Sequence, residues 1–125
     1  MTNAAKLLLI LGDTMPIETY YFSGTGNQAA TNMTGPGSIS PALGHPGVPC
    51  GVYIDLVTAT AADIVIKDSR GFTIFTKTSI AADTYYPFGD TTLPGTSCSG
   101  VPTITATNVS NSSTGTWLAW MDVKR

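Results

Sequence analysis

Charge is scarce in this chain. Only 11% of its 125 residues are Asp, Glu, Lys or Arg, against roughly 25% in ordinary soluble domains. The six cations, Lys6, Lys67, Arg70, Lys77, Lys124 and Arg125, are scattered, and the pI is near 4.9. Nucleic-acid phosphates are held by clustered Lys and Arg, so nucleic acid is excluded as an expected partner. Histidine is reduced to His45 and cysteine to Cys50 and Cys98. A zinc site needs about four ligands at set spacings, and neither CxxC nor HxxxH occurs. No apolar run approaches the roughly 20 residues of a membrane-spanning helix. Lys6 followed by Leu7-Leu8-Leu9-Ile10-Leu11 is too short for the apolar core of an export signal and leads into Gly12-Asp13. It reads as a strand. With no export signal expected, both thiols are read as free. The matches to the glycosylation pattern at Asn32, Asn108 and Asn111 are read as chance in a Ser/Thr-rich chain.

Helical periodicity is missing too. No stretch of a dozen residues keeps a 3.6-residue apolar period free of Gly or Pro. What is present is 42% hydrophobic residues, enough for a core and too many for disorder. They are concentrated in short β-branched and aromatic runs: Lys6–Leu11, Ile17–Phe22, Gly51–Thr58, Asp63–Asp68, Phe72–Thr78, Thr103–Val109 and Thr116–Val123. Two hairpins are expected. One turns through Asp68-Ser69-Arg70-Gly71, with Asp first and Gly fourth as a type I turn prefers. The other joins Thr103–Val109 to Thr116–Val123 through the polar linker 110–115. Ser23–Pro49 is crowded with Gly and Pro and reads as an extended loop or arm that a partner orders. Thr91–Val101 reads as a second loop. The expected fold is all-β: one sandwich domain over 1–125, a jelly roll by first choice, with long Gly/Pro-rich loops.

Several patterns resemble chemistry and fail on context. Gly24-Thr25-Gly26-Asn27-Gln28-Ala29 matches a loose dinucleotide fingerprint, but Thr34-Gly35-Pro36-Gly37 follows where a helix should begin. His45 and Cys50 lie close in sequence, yet a catalytic thiol needs more than a neighbour in a Pro-rich loop. Gly95–Gly100 has the wrong spacing for a nucleophile elbow. Most of the acidic residues fall at strand ends or turns; Asp55 and Asp122 fall within strands and should point outward. The expectation is no catalytic residue, no cofactor, no metal and no enzyme.

The aromatic residues carry the remaining information. Tyr20, Tyr21 and Phe22 are adjacent, as are Tyr85 and Tyr86, and Trp117 and Trp120 are an odd number apart. In a regular strand such neighbours point to opposite faces. Part of this aromatic surface must lie outside the first core, covered either by loops or by another subunit. Tyr20, Tyr21, Tyr85, Tyr86, Trp117 and Trp120 are therefore the candidate partner contacts. The pattern does not say which Trp faces the core.

Val52–Thr58, the run Ala62–Lys77, Ala81-Ala82-Asp83-Thr84-Tyr85-Tyr86-Pro87 and the closing Thr103–Thr107 with Gly115–Met121 resemble small proteins encoded beside capsid genes of tailed bacteriophages. The likeness covers about the C-terminal 60% of the chain. It implies a capsid decoration or cement protein, often a jelly roll and often a trimer. It also implies that the partners are the major capsid protein or further copies of the chain. The place would be the capsid exterior, after synthesis in the bacterial host cytoplasm, with no membrane involved. The alternative is a carbohydrate- or receptor-binding sandwich of a tail or fibre, with Tyr85, Tyr86 and Asp90 as a glycan patch.

Overall fold

The computed structural model describes residues 17–35, 47–88 and 98–124. These form eight strands: β1 (Ile17–Thr25), β2 (Gln28–Asn32), β3 (Val48–Leu56), β4 (Ala62–Lys67), β5 (Thr73–Ile80), β6 (Thr84–Pro87), β7 (Thr103–Thr107) and β8 (Thr116–Lys124). They make two antiparallel four-stranded sheets packed as a β-sandwich. The first has the order β1-β8-β3-β6 and the second β2-β7-β4-β5. The pairing is nested: first strand with last, second with seventh, third with sixth, fourth with fifth.

Period-two alternation sets the layers. On β8, Trp117, Ala119, Met121 and Val123 are buried, while the residues between them are half-buried. Val52 and Ile54 of β3 join them from the first sheet, and Ile64, Ile66, Ile104 and Ala106 face them from the second. Trp117 is the largest fully buried side chain. Its ring lies on Gly24 of β1, where an added Cβ would strike it, and its indole N–H donates to the Gly26 carbonyl at 2.9 Å. The two glycines of the dinucleotide-like pattern thus serve the core and a corner. Gly26, at φ +66, turns the chain from one sheet to the other and gives its N–H to Gly115. Asn27 beside it donates its N–H to Ser112 and accepts from Val109 N–H at 3.0 Å.

The β4–β5 hairpin forms as its turn residues dictate. Gly71 N–H donates to the Asp68 carbonyl at 3.0 Å, Asp68 N–H returns to Phe72, and Gly71 takes φ +90. That is a type I turn closed by a glycine bulge. Asp68 is buried and accepts from the backbone N–H groups of Arg70 and Phe72 at 2.9 and 3.1 Å. It also accepts from Arg70 Nε at 2.7 Å and Ser99 N–H at 3.3 Å.

The second expected hairpin does not form. β7 belongs to the second sheet and β8 to the first, so 110–115 is a crossing between sheets. Asn111, at φ 54, accepts the N–H groups of Thr114 and Gly115, which wraps the linker into a compact corner. A local pattern of two strands and a polar linker cannot say that each strand has a better partner elsewhere. β8 finds two, β1 and β3.

The expected loop Ser23–Pro49 also differs. It holds the end of β1, all of β2 and the start of β3. Residues 36–46 lie outside the described residues, as do the expected strand Lys6–Leu11, His45, Asp90 and most of Thr91–Val101. Cys98 is buried and exchanges both backbone hydrogen bonds with Gly47, at 2.7 and 2.8 Å, and no disulfide joins it to Cys50.

Candidate functional site

The alternation that buries one face of the first sheet turns the other outward. Register fixes what stands there. Tyr21 of β1 pairs with Trp120 of β8, Trp120 with Tyr53 of β3, and Tyr53 with Tyr85 of β6. One aromatic residue from each of the four strands thus lies in a single row, perpendicular to the strands. At about 4.8 Å per strand the row is roughly 14 Å long. Trp120 and Tyr53 are half-buried against each other, with ring centroids 5.2 Å apart and planes tilted by 33°. Tyr21 and Tyr85 are about half exposed, at 47% and 54%. The Tyr85 ring lies over Gly51, and a side chain there would collide with it. Gly51 therefore leaves room for the phenol end of Tyr85 over the sheet, and the residue stays half exposed.

Exposed apolar surface is concentrated here. Ile17, Tyr21, Val48, Val57, Phe72 and Tyr85 are the exposed large hydrophobic residues among those described, and Ile17, Tyr21, Val48 and Tyr85 are on this face. The outer face of the second sheet is different in kind. It carries Thr103, Thr105 and Thr107 of β7 beside Asp63, Val65 and Lys67 of β4. The exposed apolar residues are thus clustered on one outer face, and the other carries threonine.

Carboxylates bracket the row. On one flank Asp122 accepts a hydrogen bond from Thr19 Oγ1 at 2.7 Å and pairs in register with Gly51, under the Tyr85 ring. On the other flank Asp55 follows Tyr53 on the same face and neighbours Asp83, which accepts Leu56 N–H at 2.7 Å. Desolvation raises the pKa of Asp55, and the charge of Asp83 and a hydrogen bond shared with it raise it further. Asp55 and Asp122 point outward, as their strand positions require.

The six aromatic residues singled out by sequence are divided evenly. Tyr21, Trp120 and Tyr85 stand on the outer face. Trp117 and Tyr20 are fully buried, so both serve the chain's own core. Tyr20 donates its hydroxyl to Glu18 at 2.7 Å and packs its ring on Gly35. Tyr86 turns inward, with its ring 5.2 Å from Phe75 of the opposite sheet. Tyr53 was missed, although its signal was present: Val52 and Ile54 are the apolar residues of an alternating run, so Tyr53 had to face away. Among the described residues no group of three or more His, Cys, Asp or Glu side chains is placed to hold a metal ion. No family model, no curated protein and no solved structure matches the chain.

Proposed function

We propose that this protein is a structural binding domain, a capsid decoration or cement protein, which seats the outer face of its first sheet on the shell of a phage head. The observation that carries the reading is the aromatic row. A sandwich with water on both sides needs one buried face per sheet, and the other is normally polar. Here four strands each contribute a Tyr or Trp to the wrong side, in register. Aromatic residues clustered at the centre of a patch are what protein interfaces are enriched in. The nested strand pairing supports reading the sandwich as a jelly roll, since it is the pairing of one long hairpin rolled up. Copies of the chain, as trimers or otherwise, would act together on the capsid exterior.

Electron microscopy of intact particles carrying the protein tests this. Density for the sandwich should lie on the outer shell with Tyr21, Trp120 and Tyr85 at the contact. Density elsewhere in the virion, or a contact through the threonine face, would contradict it. The second reading, a glycan-binding module, draws on one observation: the half-exposed Tyr85 ring above Gly51, since exposed aromatic rings are what sugar rings stack on. Binding of oligosaccharides without binding to particles would favour it.

A further inference from the structure

Resting on that docking reading, we propose that the partner presents arginine side chains to the outer face of the first sheet, stacked on Trp120 and Tyr85 and paired with Asp55 and Asp122. The charge of the face selects this partner. Asp55, Asp83 and Asp122 stand beside the row, and among the described residues the cation on the same face is Lys124 at its end. Two copies of the chain meeting squarely through this face would bring carboxylates together on both flanks, which costs free energy. The threonine face offers a second copy little compensation, because Lys67 and Asp63 cancel there. A cationic surface meets no such penalty. It relieves the mutual repulsion of Asp55 and Asp83 as it docks.

Arginine fits better than lysine. A guanidinium is planar, stacks on aromatic rings and forks onto carboxylates, whereas an ammonium is a compact and strongly hydrated point charge. A neutral sugar could stack on the same rings but brings no charge to offset the one that Asp55 and Asp83 crowd together. The protein itself displays the arrangement proposed for the interface. At the β4–β5 turn the Arg70 guanidinium lies 4.8 Å from the centre of the Phe72 ring while pairing with Asp68 at 2.6 Å. An aromatic ring, a carboxylate and a guanidinium already hold one another there. The outer face has the rings and the carboxylates.

The test is a titration of the ¹⁵N-labelled full chain with acetyl-Gly-Arg-Gly-Arg-Gly-amide. The same peptide with citrulline, a neutral isostere, replaces arginine in a second titration, and with lysine in a third. The indole resonance of Trp120 should shift saturably with the arginine peptide, and at least about threefold less tightly with the lysine peptide. Citrulline should give no saturable shift. Raising the salt or making Asp55→Asn with Asp122→Asn should weaken the arginine peptide about fivefold or more. Equal shifts from arginine and citrulline peptides, or none from either at millimolar concentration, would overturn the proposal. Binding of Trp120→Ser to intact particles, measured alongside, keeps the two readings apart. If that substitution leaves particle binding unchanged, the docking reading itself fails, whatever the peptides do.

Discussion

Replacing each tryptophan by alanine separates the two faces of β8. Trp117 is fully buried, packed on Gly24 and 5.7 Å from the Phe22 ring, with its indole N–H satisfied by Gly26. Trp117→Ala removes the largest buried side chain, leaves a cavity at the centre of the sandwich and orphans the Gly26 carbonyl. Such truncations cost about 3–5 kcal/mol, a large part of the roughly 5–15 kcal/mol that holds a domain folded. The melting temperature should fall by roughly 10–20 °C. Trp120 faces outward. Trp120→Ala forfeits its stacking on Tyr53, worth about 0.5–1.5 kcal/mol, and leaves water to fill the space. Its melting temperature should drop by only a few degrees, with the denaturant slope unchanged. Thermal and urea unfolding followed by circular dichroism read both. A Trp120→Ala variant as unstable as Trp117→Ala would refute the assignment of faces, and the aromatic row with it.

Asp68→Ala should cost about 2–4 kcal/mol, since it strands several donors that point at a buried carboxylate; urea unfolding checks this, and a loss under 1 kcal/mol would show that the turn does not depend on it. Asp68 and Asp63 also set the acid limit. Burial would raise the pKa of Asp68, but Arg70 and the N–H groups of Ser99, Phe72 and Arg70 outweigh it and hold it below the ordinary value. For Asp63 the Ser79 N–H and then the Asn108 amide lower it. Both groups therefore contribute full stability above the unfolded pKa of about 3.9. That stability is lost as the pH falls through their lower folded values. Melting temperatures from pH 2 to 5 should decline, and Asp68→Asn should flatten the decline. Gly51→Val should leave the fold intact and lift Tyr85 off the sheet, visible as altered tyrosine ring resonances; unchanged resonances would contradict the packing of Tyr85 on Gly51.

The fold class was legible because alternation is a local property. Ile64 and Ile66 on β4, and Trp117, Ala119 and Met121 on β8, declare one buried face each without knowledge of a partner. Partner choice is not local, which is why 110–115 reads as a hairpin turn and is a crossing between sheets. β2 and β6 were hidden for a different reason. Both are short edge strands. Gln28–Asn32 contains no large apolar residue, and Thr84–Pro87 ends in a proline that an edge tolerates. β2 carries no signal above that of a loop, and the Thr-Tyr-Tyr run of β6 is too short for alternation to mark a strand. At the candidate site, adjacency of Tyr20 and Tyr21 required that one face outward, but only register shows that Tyr21, Trp120, Tyr53 and Tyr85 share a row. Gly51 could not be recognised from sequence as the seat of the Tyr85 ring, because residues 51 and 85 meet only through the β3–β6 pairing.

The most direct test of the central claim is the affinity of the purified chain for intact particles stripped of it, measured by cosedimentation with wild type and with Tyr21→Ser, Trp120→Ser and Tyr85→Ser combined. These three residues stand outside the core, so the variant should fold and melt cooperatively. Serine at all three should abolish cosedimentation, whereas Thr103→Ser and Thr105→Ser on the opposite face should leave it unchanged. A folded triple variant that binds particles as tightly as wild type would show that the outer face of the first sheet is not the docking surface.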